Sequence, residues 1–315
     1  MLDRYKRKIT YLRLSVTERC QLRCTYCRAA EGCCPKAAEL SAQDFTRITR
    51  ACAQLGINKV RLTGGEPLLR KDILQIVESI AAIEGIKDVS MTTNAQMLPG
   101  LSAELKRAGL SRLNISLDSL HTNTFREMTG GELSLVMQGI EEAIAADLLP
   151  VKVNCVVIKG QNDHEIDDFI ALTKERPIDV RFIELMPIGD MGKNGGRGVS
   201  NAELIATRPY LEPVPPRYKS QPSTDYRVPG YMGRVGFISP ISHKFCADCN
   251  RIRLMSDGML RPCLGVDTEF SLLEALEQDD AVLLETIREV IFNKPIGHKF
   301  ESCSYSNRNM SRIGG

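Results

Sequence analysis

Three cysteines, Cys20, Cys24 and Cys27, stand at C-x3-C-x2-C spacing directly after an alternating run at 11–16, YLRLSV. Three thiolates from one short loop can hold three corners of a cubane iron–sulfur cluster and leave the fourth iron without a protein ligand. An electron-transfer cluster that is closed normally takes four cysteines. An open position lets the metal bind and activate a small molecule, the logic that separates catalytic from structural zinc. The plainer alternative is a zinc knuckle or a disulfide pair. A second set, Cys246, Cys249 and Cys263, again offers three sulfurs and no convincing fourth ligand; His243 is the nearest candidate and reads more simply as a surface histidine beside Lys244. It is expected to hold a second cluster with an open iron.

Cationic side chains recur inside strand-like runs: Arg13, Lys59 with Arg61, Lys152, Arg181, and Arg251 with Arg253. Each doublet is spaced by two, so both side chains point to one face of a strand. Charges are seldom fully buried unless paired. A basic ring around one cavity therefore predicts an anionic ligand, and Arg and Lys supply the charge-assisted bonds that a polyphosphate takes. Gly64-Gly65-Glu66-Pro67 ends the run at 58–63, where two glycines allow close backbone approach to a ligand. Thr92-Thr93-Asn94 and the NISLD run at 114–118 follow at later strand ends, the positions where an α/β barrel carries its ligands.

These residues must be held by something, and the chain supplies alternating elements. Strands are expected at 11–16, 58–63, 88–93, 112–117, 150–158 and 179–185, with helices near 41–55, 71–83, 101–108, 133–147 and 163–175. Such alternation argues for parallel βα units, as an open sheet or an incomplete barrel. Ser41 with Asp44, Ser102 and Asp163 read as helix N-caps, and Gly56, Gly85 and Gly109 as C-caps. The run 186–200 is a glycine-rich loop. Six prolines between Arg208 and Pro229 read as a boundary rather than a packed element. Residues 1–215 are thus expected to form the main unit. Residues 216–315 form a small β-rich extension with a helix at 271–292 and a tail ending in Gly314-Gly315. That tail is either disordered or, being free of side chains, able to thread into a narrow site.

The chain has 315 residues, 43% of them hydrophobic, enough for a large core. A net charge of +2 provides no global field toward nucleic acid, and no apolar run suits a membrane span. Eleven cysteines and a charged, signal-free start point to a reducing, cytoplasmic setting. Cys52 and Cys155 lie on apolar patterns as buried small hydrophobes, Cys33 and Cys34 follow the first triad, and Cys303 reads as a free thiol.

The first cysteine motif, with aromatic Tyr26 before its last cysteine, resembles the radical S-adenosylmethionine (SAM) superfamily. LRLSVTERC, GGEP, TTN, NISLD, RFIELMP, FCADCNRIRL and the terminal IGG together resemble the GTP 3′,8-cyclase family, which opens molybdenum cofactor biosynthesis. Ala95 stands where that family usually has glycine. The resemblance implies an incomplete (β/α)6 TIM-like barrel and two [4Fe-4S] clusters, on Cys20, Cys24 and Cys27 and on Cys246, Cys249 and Cys263. It implies SAM contacts from Tyr26, Gly65, Ser116 and Met186. GTP would lie among Arg13, Lys59, Arg61, Thr92, Lys152, Arg181, Arg251 and Arg253, with Gly314 and Gly315 entering the active site beside Arg251 and Arg253. Implied partners are an electron donor such as flavodoxin or ferredoxin and a downstream cyclic pyranopterin monophosphate synthase, with room for a homodimer. Two rivals stand beside it: a radical SAM peptide-modifying enzyme with an auxiliary cluster, and a non-enzymatic zinc-stabilised module.

Overall fold

A computed structural model describes residues 1–27, 38–188, 191–192, 196–298, 300 and 310–314. Six strands, β1 (Tyr11–Ser15), β2 (Lys59–Thr63), β3 (Asp88–Thr93), β4 (Arg112–Ser116), β5 (Val151–Val157) and β6 (Ile178–Glu184), pair in parallel and in chain order. Helices Ala42–Gln54, Ile73–Ala81, Ser102–Arg107, Leu133–Ala145 and Ile166–Ala171 form the crossovers, within a few residues of the expected bounds. The expected α/β architecture is present as an incomplete, TIM-like barrel. Its sheet has twelve strands and stays open, with these six consecutive at its centre.

The C-terminal strands extend this sheet rather than building another. Strand β9 (Val235–Ile238) runs parallel beside β6, and antiparallel β8 (Ser223–Arg227) and β7 (Glu212–Val214) follow outward. On the other edge β10 (Arg251–Leu254) runs parallel beside β1, followed by antiparallel β11 (Met259–Arg261) and β12 (Phe270–Ser271). The proline-rich stretch read as a boundary therefore contains two strands. Pro213 is tolerated because β7 is an edge strand, where a missing N–H costs no ladder bond.

Side-chain alternation explains the layers. Leu12, Leu14, Val60, Leu62, Met91, Ile115, Val153, Val180 and Phe182 occupy one parity and are completely buried, packed with Phe45, Ile48, Ile76, Ile140 and Phe169 of the helices. Each such side chain contributes about 1.5–3 kcal/mol by leaving water. Stability thus resides in the outer layer, and the other parity, facing the barrel axis, is free to be polar. Cys52 and Cys155 belong to the apolar layer, as expected. Burial pushes the Cys52 thiol up to about 12 and that of Cys155 well above its ordinary value.

Several local expectations change. Ser41 and Asp44 form the expected capping box. Ser102, however, is already helical, behind Leu101. Asp163 instead accepts from the Gly160 N–H at 2.8 Å, and its helix starts at Ile166. The helix expected at 271–292 is broken into Leu273–Leu276 and Asp280–Phe292, because the Asp279 carboxylate caps the second piece. Helices Thr122–Thr129 and Asn201–Ala206 were not anticipated. Gly56 and Gly109 follow their helices at φ +91° and +102°, as C-cap glycines do. Among the described residues no helix is long and apolar enough to cross a membrane. Cys33, Cys34, Cys303, Gly315 and part of the 186–200 loop lie outside the described residues.

Candidate active site

The cysteine loop leaves the end of β1 and is stitched down from two sides. Helix Thr122–Thr129 ends there, and its free C-terminal carbonyls accept from the loop, Thr129 O from Arg23 N–H at 2.8 Å and Met128 O from Thr25 N–H at 2.9 Å. On the other side the glycine pair meets the loop backbone: Gly65 N–H donates to Thr17 O and Glu66 N–H to Arg19 O, both at 2.7 Å. A Cβ on Gly65 would lie 2.2 Å from Arg19 O and 2.6 Å from Glu18 O. Both glycines were expected to admit a ligand; at Gly65 the close approach is to the cysteine loop itself.

Glu66 is completely buried and accepts from the Thr93 hydroxyl and the Asn94 N–H, both at 2.7 Å, and from Leu68 N–H at 3.1 Å. It ties the GGEP and TTN loops together. Burial pushes its carboxyl up to about 7. Asn94 in turn donates toward Cys20 Sγ at 3.6 Å. Ala95, where a glycine was expected, sits at φ +61°, a left-handed position that glycine occupies at no steric cost. The Tyr26 hydroxyl donates to Asp118 Oδ2 at 2.7 Å, and Asp118 Oδ1 accepts from Val156 N–H at 3.0 Å. Burial raises Asp118 to about 6. It also drives the Cys24 thiol well up, with Asp118, Cys27 and Cys20 adding to the effect.

These residues wall one chamber with about 1200 Å³ of empty space. Cys20, Cys24 and Cys27 line it, as do all four residues expected to contact SAM, Tyr26, Gly65, Ser116 and Met186, together with Thr92. A second chamber of about 1180 Å³ is lined by Cys246, Cys249 and Cys263 and by Arg13, Arg61, Arg181, Arg251 and Arg253. The two share Arg13, Asn154, Ile183, Met186, Arg253 and Leu264, so they adjoin through common walls, with a thiol triad in each. Thr92 Oγ1 and Asn154 Oδ1 are buried there without a hydrogen-bond partner, the state of atoms that await a ligand.

The sulfur spacing tests what the triads can hold. Among the described residues, the one group of three His, Cys, Asp or Glu side chains with ligand atoms all within 4.8 Å of one another is His121, His164 and Glu165. Neither cysteine triad is that compact. One zinc, with Zn–S bonds of about 2.3 Å, would draw its sulfurs to about 3.8 Å apart. An all-sulfur set of three donors suits a cubane with one iron left open.

Strand register builds the basic wall. Arg13 pairs with Arg61 on one side and Arg253 on the other, Tyr11 with Lys59 and Arg251, and Asn154 with Arg181. Gly236 opposes Arg181 on β9 and leaves it room. Arg181 donates to Asn114 Oδ1 at 2.6 Å and Arg251 to Ser220 O at 2.7 Å. Burial lowers Arg181 and Arg253 to about 10, and neighbouring guanidiniums, Arg61 and Arg251 respectively, add to it. The described lining of the second chamber includes five arginines and Lys294 but no Asp or Glu. Lys59 and Lys152 stand back from both linings. Lys59 lies over the Tyr218 ring at 4.5 Å, and Lys152 is lowered to about 7 by burial, then by Arg181.

The tail is seated in the cleft. Arg253 donates to Gly314 O at 2.5 Å, Gly314 has φ +79°, and a Cβ there would lie 2.7 Å from Thr63 Cγ2. Ile313 is buried against Ile188 and Phe300.

Residues that sequence reasoning missed are Tyr11, Asn154 and Lys294; Glu66 and Asp118 lie in runs it singled out, without roles of their own. The signal for Tyr11 and Asn154 was present, since each lies two residues from a noted cation (Arg13, Lys152). Burial raises the Tyr11 hydroxyl, but Arg61, Arg13, Arg251 and Arg112 outweigh it and bring the group below its ordinary value.

Residues 14–173 match the radical SAM superfamily, and residues 178–300 match the family described as Molybdenum Cofactor Synthesis C. Curated relatives align from end to end, covering 100% of both chains. A GTP 3′,8-cyclase of Alkaliphilus oremlandii is 49% identical, and those of Clostridium botulinum and Clostridium acetobutylicum are 45% and 43% identical. Among solved structures, Streptococcus suis SuiB bound to precursor peptide SuiA superposes with a TM-score of 0.65 at 19% identity, over 92% of this chain and 66% of that one. This last likeness is one of fold. The chain belongs to the radical SAM superfamily and, within it, to the GTP 3′,8-cyclase family.

Proposed function

We propose that the protein is a GTP 3′,8-cyclase, a radical SAM lyase that converts GTP to (8S)-3′,8-cyclo-7,8-dihydroguanosine 5′-triphosphate at the first step of molybdenum cofactor biosynthesis. The observation that carries this reading is the pair of adjoining chambers, each with a thiol triad, and the arginines along them, Arg181 and Arg253 buried and Arg13, Arg61 and Arg251 half-buried. The relatives' shared name agrees with it.

Cys20, Cys24 and Cys27 would hold one [4Fe-4S] cluster and leave an iron for SAM; Cys246, Cys249 and Cys263 would hold a second, with an iron left for guanine. When bound, the first cluster would pass one electron to SAM, yielding methionine and a hydrogen-abstracting 5′-deoxyadenosyl group, and a second electron from the external donor, with a proton, would complete the dihydro product. The chain's own residues position and shield. Tyr26, Gly65, Ser116 and Met186 would contact SAM, with Tyr26 braced by Asp118. Arg13, Arg61 and Arg181, with Lys59, Lys152 and Thr92, would hold the triphosphate, and its charge would relieve the mutual repulsion of the guanidiniums. Arg251 and Arg253 would flank guanine, and the seated tail fixes Arg253. Holding C3′ against C8 turns the ring closure into a problem of orientation, and the buried setting excludes water.

An external one-electron donor such as a flavodoxin or ferredoxin belongs to this reading, as does a downstream cyclic pyranopterin monophosphate synthase. The test is anaerobic incubation of cluster-loaded protein with SAM, GTP and dithionite, followed by mass spectrometry. The cyclised nucleotide and 5′-deoxyadenosine are expected, with about eight irons per chain. SAM cleavage with GTP unchanged, or crosslinking of a peptide instead, would overturn the proposal.

A further inference from the structure

Lys294 follows helix Asp280–Phe292 and is 1% exposed, in the wall of the second chamber. Its ammonium donates to Pro262 O at 2.5 Å, the carbonyl just before Cys263. Among the described residues no carboxylate lies within ion-pair reach of it, and the chamber it lines has none. Burial of an ammonium without a counter-charge costs several kcal/mol, and charged side chains are almost never so buried unless paired. The thiols of Cys246, Cys249 and Cys263, which can carry negative charge, line the same chamber.

The lysine is held there deliberately. Arg7 donates to Cys246 O at 3.0 Å and also to Pro295 O at 2.6 Å and Ile296 O at 2.8 Å, so it binds the segment after Lys294 to the cysteine turn. The charge of Arg7 is itself answered by Asp3 at 2.7 Å, whereas no carboxylate among the described residues answers Lys294. The first chamber has the opposite arrangement, because the buried ionisable partner beside Cys24 and Tyr26 is Asp118, an acid.

We propose that Lys294 is a positioning residue, the built-in counter-charge for the cluster on Cys246, Cys249 and Cys263. A cubane of core charge 2+ with three thiolates is a monoanion that becomes a dianion on reduction. A fixed ammonium beside it favours the reduced form. Lys294 therefore raises the potential of the second site relative to the first and keeps the electron demand of the two sites apart. This inference rests on the reading of that triad as cluster ligands.

The test is a dithionite-poised redox titration of the cluster-loaded enzyme, followed by electron paramagnetic resonance, for wild type, Lys294→Gln, Lys294→Met and Lys294→Arg. The signal that SAM perturbs reports the first cluster and serves as internal control; the other reports the second. Lys294→Gln keeps a donor for Pro262 O without the charge. At the wild-type midpoint of the second cluster, the reduced-to-oxidised ratio is expected to fall at least tenfold in the Gln and Met variants, a downward shift of about 59 mV for one electron. Lys294→Arg should stay within threefold of wild type, and the first cluster should not move in any variant. Failure of Gln and Met to assemble the second cluster while Arg assembles it also supports the charge. An unmoved midpoint in Gln and Met, an equal shift in Arg, or loss of the second cluster from all three variants overturns the proposal, since packing would then explain the site. Only about four irons in the wild type would instead remove the cluster assignment itself.

Discussion

Replacing Gly314 with alanine puts a methyl group where the structure leaves no room and a backbone conformation where alanine resists it. At φ +79° an L-residue other than glycine costs roughly 1–2 kcal/mol. The new Cβ would also lie 2.7 Å from Thr63 Cγ2 and 3.3 Å from Ser15 Cβ, so β1 or β2 must yield before the tail can seat. The backbone cost alone shifts the balance between seated and released tail by about 5–30-fold toward release. A released tail withdraws the carbonyl that accepts from Arg253. Two readouts follow. Trypsin should cut after Arg312 about 5–30 times faster, because cleavage tracks the open population when reseating is fast. The yield of cyclised nucleotide per 5′-deoxyadenosine follows the seated fraction and should drop by a smaller factor, with iron content unchanged. Cleavage and coupling that both stay within twofold of wild type would show that the seated tail has no part in the reaction.

The remaining predictions address the two triads and the basic wall. Gly65→Ala should lower iron from about eight to about four per chain and stop SAM cleavage, because its Cβ would displace the Arg19 carbonyl on which the cysteine loop rests; iron assay decides it. Cys20→Ser should abolish 5′-deoxyadenosine formation, whereas Cys263→Ser should retain some and lose cyclisation; undiminished product from both would defeat the division of roles. Lys152 titrates near 7 in the free protein, lowered by burial and then by Arg181, and bound phosphate should restore its charge. GTP binding at pH 8 should thus take up close to one proton. That favourable contribution is intact below pH 7 and fades as pH climbs toward the bound lysine's own value. Calorimetry in buffers of differing ionisation enthalpy should detect the uptake in wild type and not in Lys152→Met.

Much of the barrel could be read in advance because each buried strand carries an apolar parity and each helix a separate stripe. The helix at Thr122–Thr129, with sequence TNTFREMT, escaped because its composition is poor for a helix; buried Phe125 and Met128 hold it. Strands β7 and β8 escaped because proline outweighs pattern in a local reading, whereas an edge position removes the objection. The cations of the wall were legible from spacing by two, yet their neighbours across the sheet depend on register, which no local pattern encodes. Glu66 and Asp118 lie in runs that stand out as ligand-bearing, yet the letters alone give neither acid a role. They become organising groups once burial and three-dimensional partners are known. Ala95 shows the reverse: the departure from glycine was visible, and the left-handed backbone explains why glycine is the easier choice there.

The placement of β10 beside β1 means that residues about 240 apart in the chain are neighbours. During synthesis the first strand must wait, one flank bare, until nearly the whole polypeptide has emerged. A chain stopped at residue 215 would strand both β1 and β6 without their outer partners, and unpaired edges of that kind invite association between chains. The barrel half is thus unlike a module that can be borrowed on its own: its margins are completed by the segment that also brings the second set of sulfurs, so assembly of the scaffold and completion of the reaction chamber are the same late event.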